Sequence, residues 1–404
     1  MDNFSPPRIT MLGYCTNVHP GTTLAEVRAN LEWHALAVKR RFSPDKPMGI
    51  GLWLAADAAS ELVSQPEALA DFKAWLDDAG LRVFTFNGFP FGPFHGDVVK
   101  EAVYQPDWST AERYDYTLDL ARLLAHLLPD DAEGSISTLP LGWPAAFGDT
   151  QAAFNERLQA AGNRLTDLVH QLARLELDTG KCIHVDLEPE PGCILEHSAG
   201  VVQFFKDQLL GTVDDVSVLG YLRVCHDVCH AAVMFEDQHL ALANYRAAGI
   251  QVGKVQVSSA VEADWALSDA EAVRAGLDAF AEPRYLHQTS VKRPGGDMVR
   301  YLDLPDALRD EQTNGLWRTH FHVPVYAESL GALGTTRGEI DRCFSAIQPD
   351  DGVQHFEVET YAWGVLPEEH RVEELGEGIA KELVWTAERL RAAGLKQAMG
   401  AGAG

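Results

Sequence analysis

Positive charge is scarce in this 404-residue chain. Its 33 Lys and Arg face 59 Asp and Glu, a net charge of −26 with His neutral. A surface this acidic repels phosphate backbones and anionic lipid, so no nucleic-acid partner is expected. Cysteine is sparse as well. Six thiols in such a length (Cys15, Cys182, Cys193, Cys225, Cys229, Cys343) do not make a disulfide scaffold. Several fall in apolar strand-like runs, where a reduced thiol packs as a small hydrophobe. No run approaches the ~20 apolar residues that span a bilayer. The N-terminal residues lack a basic segment followed by an apolar one, so no secretory signal is read there and the cytoplasm is the expected compartment. Catalytic templates are missing too. Gly49-x-Gly51 has no third glycine for a dinucleotide fingerprint, and there is no P-loop, His-Glu-x-x-His or Gly-x-Ser-x-Gly. Cys225-x3-Cys229 is not zinc-ribbon spacing, and a serine or cysteine nucleophile has no positive support.

What is present is an ordinary globular mix, 46% hydrophobic and 23% charged, with enough chain for a large core. Short β-rich runs cover residues 9–14, 49–54, 81–87, 135–139, 182–187, 221–226, 252–257 and 356–361. Between most of them the apolar residues recur with helical period, most clearly over 23–42, 67–79, 111–128, 150–175 and 269–281. Ser268 with Glu271 and Thr336 with Glu339 have capping-box spacing, and Gly80 stands where a helix-ending glycine belongs. About eight strand–helix alternations predict an α/β fold, a single (β/α)8 TIM barrel, with an open doubly wound sheet as the rival. The rhythm breaks once. Almost a hundred residues separate the seventh run from the last, with a ninth strand-like piece at 318–326 and a basic stretch from Ser290 to Gly296. One barrel over residues 1–399 is therefore expected, with a long insertion between strands 7 and 8 at about 260–330. The Gly/Ala tail at 400–404 is expected to be disordered.

In a β/α barrel, reactive groups sit at the C-terminal ends of the strands. The fifth run ends Asp186-Leu187-Glu188-Pro189-Glu190. The sixth ends His226-Asp227-Val228-Cys229-His230, and the ninth piece reads Thr319-His320-Phe321-His322. The last reads Phe356-Glu357-Val358-Glu359. Histidine and carboxylate are ligands for Zn²⁺ and Mn²⁺, and here four strand ends supply them. His320 and His322 are two apart, so on a strand they face one side. Taken singly, each carboxylate could simply cap a helix and each His sit satisfied in the core; their joint occurrence at strand ends weighs against that.

Leu187-Glu188-Pro189, Asp227-x-x-His230 and Glu359-Thr360 together resemble the xylose-isomerase-like TIM-barrel superfamily, which includes sugar isomerases and epimerases and the endonuclease IV family. Within it, the stretches Gly13 to Gly21 and Leu187 to Cys193 resemble the EboE-type metabolite traffic proteins. The resemblance implies a divalent metal, Zn or Mn, one or two ions, with Glu188, Asp227 and Glu359 as shared carboxylate ligands. The superfamily's fourth ligand, usually a histidine from strand seven, aligns with Gln256, an amide that binds Zn²⁺ poorly. His230, His320 and His322 match a second position of endonuclease IV, where an Asp stands in place of His320. Two further histidines of that family fall near Asn87 and Thr138, and His95 could replace one only if its loop folds inward.

The expected activity is metal-dependent proton transfer of isomerase or epimerase type on a small, sugar-like or anionic metabolite, with Glu188 and Glu359 as catalytic carboxylates. A non-catalytic metabolite carrier and a phosphoester hydrolase related to endonuclease IV are the alternatives. Substrate contacts are expected from Asn17 and His19 after strand one, Asn87 and His95 after strand three, and Trp143 after strand four. His287, Lys292 and Arg293 would add to these from the insertion, folded over the mouth as a local positive patch.

Overall fold

The computed structural model describes residues 10–130, 132–266, 269–310 and 314–395. Seven strands come first: β1 (Met11–Tyr14), β2 (Met48–Leu52), β3 (Leu81–Asn87), β4 (Gly134–Thr138), β5 (Ile183–Leu187), β6 (Leu222–Asp227) and β7 (Val252–Val257). Six short strands follow: β8 (Val261–Asp264), β9 (Thr289–Lys292), β10 (Met298–Tyr301), β11 (Leu316–Thr319), β12 (Ser329–Leu330) and β13 (Leu333–Thr335). The last, β14 (His355–Val358), returns to the first sheet. That sheet has the order β1-β14-β7-β6-β5-β4-β3-β2 and every pairing in it is parallel. A single parallel bridge between Cys15 and Gly51 brings β1 to β2 and rounds the sheet into a barrel.

The strands are buried on both faces, as a helix-covered parallel barrel requires. The helices follow the periodic segments closely, for example Pro66–Ala79, Ala111–Leu127 and Gln151–Thr179. Gly80 ends the first of these in the left-handed conformation (φ 66°) that favours glycine. The Thr336 capping expectation fails. Its hydroxyl accepts from Ala260 N–H instead, and the helix Gly338–Ala346 begins with no side-chain cap. The helix Ala270–Phe280 is capped by Asp269; Ser268 lies outside the described residues.

The barrel interior is polar. Lys254 on β7 pairs with Glu357 on β14 at 2.5 Å, and both side chains are fully buried. Gly51 on β2 makes this possible, because a Cβ there would sit 1.3 Å from Glu357 Oε1. The Gly49-x-Gly51 doublet therefore serves close approach inside the barrel, not phosphate binding.

Strands β8–β13 form a second, antiparallel sheet of order β10-β9-β11-β8-β13-β12. Its strands have two to four residues. The expected strand at 318–326 is shorter and earlier: β11 stops at Thr319, and His320 and His322 lie in the extended stretch beyond it. Their rings still come together, 5.2 Å apart. Leu286, His320 and His322 line a cavity at the C-terminal mouth of the barrel. No helix among the described residues is long and apolar enough to cross a membrane.

Candidate metal centre and mouth cavity

Three strand ends converge on one point. Glu188 follows β5, its N–H tied to Thr138 O at 3.0 Å. Asp227 ends β6 and opens the next helix, its Oδ1 accepting from His230 N–H and from Ser258 Oγ, both at 2.8 Å. Glu359 follows β14, its Oε1 accepting from Asn17 Nδ2 (2.8 Å) and Asn87 Nδ2 (2.7 Å). Ligand oxygens of the three carboxylates all lie within 4.8 Å of one another, and all three residues are buried. Glu188 Oε2 and Asp227 Oδ2 are fully enclosed with no hydrogen-bond partner. Buried acceptors of this kind are costly unless a donor or a cation meets them.

Like charges ~4 Å apart repel by about 4 kcal/mol at an effective dielectric near 20. Lys254, a fully buried cation within the barrel, is already paired with Glu357. Burial, then the charges of Glu359 and Asp227, push the Glu188 carboxyl well up. Burial and Asp227 bring Glu359 up to about 8. Asp227 goes the other way. Burial raises it, but His230, His322 and its two hydrogen bonds pull it below the usual carboxylate range.

Three imidazoles stand beside the carboxylates with a common tautomer. His230 Nδ1 donates to Pro189 O (3.0 Å), His322 Nδ1 to Glu359 O (2.8 Å) and His320 Nδ1 to Gln288 Oε1 (2.7 Å). The Gln288 amide is oriented because its Nε2 donates to Pro191 O, which can only accept. Each Nδ1 therefore carries the proton and each Nε2 keeps a lone pair. His320 Nε2 and His322 Nε2 are buried and unpartnered. Burial holds all three pKa values down, His230 to about 4, so the rings are neutral near pH 7. A neutral ring fixed through its other nitrogen is how metal-binding histidines are normally held. Asp227, His230 and His322 form one tight group of candidate ligand atoms, and Glu190, His230 and His320 another. The donor chemistry thus fits a divalent ion at the carboxylates, and the histidines fit a second.

Glu190 was not singled out by sequence. It accepts from Tyr104 OH at 2.7 Å, lines the cavity, and burial brings it to about 8. The alternation Glu188-Pro-Glu190 carries the only signal for it. Gln256 sits in register with Asp227 and Glu357, fully buried, both amide atoms unpartnered.

The mouth cavity collects Asn17, Asn87, Glu188, Glu190, His320 and Glu359 along its lining. The remaining expected contacts lie elsewhere. His95 donates Nε2–H to Asn17 O at 2.6 Å and so braces the loop that carries Asn17. His19 bonds Tyr14 OH and stacks on His34. Trp143 stacks behind Tyr104, ring centroids 4.9 Å apart. His287 is pinned between His320 O and Glu282 Oε1, holding the backbone that presents His320. Lys292 lies over the Phe235 ring, and neither it nor Arg293 lines the mouth. The expected basic patch is displaced for a local reason: β9 and β10 form a hairpin whose turn, Arg293 to Asp297, points away from the lining residues at its other end.

No protein-family model and no curated protein matches the chain. Solved structures do. A xylose isomerase-like TIM barrel protein from Mycobacterium smegmatis in complex with magnesium superposes with a TM-score of 0.52 at 11% identity, over 95% of this chain and 97% of that one. The fold is a TIM barrel, as in that structure. A xylose isomerase domain protein from Alicyclobacillus acidocaldarius (TM-score 0.47, 14% identity, 95% of this chain and 99% of that one) is also similar. So is 3-keto-D-glucoside 4-epimerase from E. coli (TM-score 0.45, 13% identity, 93% and 98%). In a barrel of this fold, the C-terminal face that carries Glu188, Asp227 and Glu359 is where active sites are built.

Proposed function

We propose that this xylose isomerase-like barrel is a divalent-metal-dependent enzyme that moves a proton between neighbouring carbons of a small hydroxy-carbonyl metabolite, an isomerase or epimerase. One observation carries the reading: Glu188, Asp227 and Glu359 meet from three strand ends with buried, unpartnered oxygens that a cation would satisfy. Glu188 Oε2, Asp227 Oδ2 and Glu359 would hold the ion, Zn or Mn. Bound there, it would polarise a carbonyl oxygen.

The chain's own groups do the rest. Asn17 and Asn87 fix the Glu359 carboxylate from one side, so its other oxygen faces the cavity. Glu188, held well up by burial and the charges of Glu359 and Asp227, and Glu359, brought to about 8 by burial and Asp227, take up and return the proton. Tyr104 and Gln288 orient Glu190 toward the same space. Phe89, Phe94 and Tyr361 wall it against water. The stretches after β1 and β5 support an EboE-like metabolite traffic role, and β8–β13 are read as an elaboration of the loop between β7 and β14 within one domain. The test is exchange of substrate carbon-bound hydrogen with deuterium oxide over a panel of ketoses and aldoses. Metal-dependent exchange that Glu188→Gln abolishes supports the reading, and none across the panel counts against it.

A second reading, phosphoester hydrolysis, is favoured by Asp227, which belongs both to the carboxylate group with Glu188 and Glu359 and to the group with His230 and His322, so that its carboxylate could bridge two adjacent ions. Chelator-sensitive cleavage of a generic phosphodiester, without hydrogen exchange, would select it.

A further inference from the structure

Beside the mouth lies a second cavity. Tyr285 and Tyr361 line both, and Trp363 lines the second as well. Arg284 is the one Lys or Arg among its lining residues, and no carboxylate lines it. Its guanidinium meets the Tyr285 side chain. Nε is buried without an acceptor. The neighbouring acid, Glu282, is taken up by the N–H groups of Arg284 and Tyr285 and by His287. At the mouth itself, Lys100 is paired with Asp303.

An arginine that lines a cavity with no carboxylate among its lining residues is conspicuous in a chain with 59 acidic residues. The overall −26 field repels anions, so one that binds must be drawn by local donors. A guanidinium offers a planar fork matched to carboxylate and phosphate, and the aromatic walls offer faces for a body attached to it. Trp363 presents only its ring, since its Nε1 donates to Glu382. His95 contributes shape; its Nε2 is spent on Asn17 O. The site also reaches the metal centre through a chain of rings. Arg284 Cζ is 6.0 Å from the Tyr285 ring, Tyr285 is 5.0 Å from Tyr361, and Tyr361 is 4.7 Å from His322.

We propose that this cavity is an oxyanion site in which Arg284 holds the carboxylate or phosphate group of a small metabolite whose apolar or ring-shaped body lies on Tyr285, Tyr361 and Trp363. The inference rests on the proposed function only in making that metabolite the substrate of the adjoining mouth; the anion site stands on Arg284.

The test is binding of inorganic phosphate, followed by phosphorus NMR line width, and of benzoate, followed by saturation-transfer NMR. Chloride keeps the ionic strength constant. Wild-type protein should bind at least one of the two saturably, phosphate marking a phosphate-ester ligand and benzoate a carboxylate. Arg284→Met should weaken that binding roughly tenfold or more. Arg284→Lys, which keeps the charge but not the fork, should fall between them and guards against a folding defect in the first variant. Glu188→Gln should leave binding intact even if it removes the metal, which separates this site from the metal reading. No saturable binding of either probe, unchanged binding in both Arg284 variants, or loss with Glu188→Gln alone would each overturn the proposal.

Discussion

Asn87, the last residue of β3, donates its side-chain amide to Oε1 of Glu359, just past β14, at 2.7 Å across the barrel mouth. Asn17 donates to the same oxygen at 2.8 Å. Two neutral donors on one oxygen fix the carboxylate plane without neutralising it, which leaves the other oxygen for an ion. Asn87→Ala or Asn17→Ala should therefore fold normally but weaken metal binding about 10–100-fold, the range seen when groups behind a ligand are removed. Competition against a calibrated chelator measures this, and an unchanged affinity in both variants would remove the asparagines from the site.

A pH dependence follows from the buried carboxyls. Glu190 and Glu359 rise from 4.5 to about 8, chiefly through burial, so the folded state keeps protons that the unfolded chain has lost. Stability of metal-free protein then falls as pH rises through this range. The buried histidines act oppositely, since their pKa values are pushed down, but only below about 6.5, where unfolded histidine gains its proton. Between pH 6.5 and 8.5 the carboxyls should dominate. Urea unfolding with chelator present should show a loss of about 1–2 kcal/mol per carboxyl over that window. Glu190→Gln should reduce the slope and a bound divalent ion should flatten it. A flat profile in the chelated protein would contradict the burial of these groups.

Gly51→Ala tests the barrel interior. The added methyl would sit 1.3 Å from Glu357 Oε1, so the carboxylate must leave its place opposite Lys254. Separating a buried pair costs about 3–5 kcal/mol. Chemical denaturation should show a loss of that order, and a loss below about 1 kcal/mol would mean that the interior relaxes around the methyl group.

Much of the barrel was legible because parallel strands and amphipathic helices impose periods that a sequence displays directly. The runs at 81–87 and 252–257 coincide with β3 and β7. The strand-end residues were legible for a related reason: once a strand is placed, Glu188, Asp227 and Glu359 must lie at its C-terminal end. The second sheet was not, because strands of two to four residues carry almost no period. Polar residues of the insertion were the hardest. His287 and Lys292 stand close in sequence and resemble each other as candidates, yet one is locked beneath His320 and the other lies over Phe235. Arg284, which does face a cavity, carries no local signature; its environment is made by residues from the loops after β1, β3 and β14.

The most direct measurement is elemental analysis of the purified protein and of its Glu188→Gln and Asp227→Asn variants after equilibration with limiting Zn²⁺ or Mn²⁺. The account predicts one to two tightly held ions per chain in the wild type. Each substitution should lose at least one of them while circular dichroism stays unchanged. A wild-type chain that retains no divalent ion, or variants that retain the full complement, would contradict a metal centre at the meeting point of Glu188, Asp227 and Glu359.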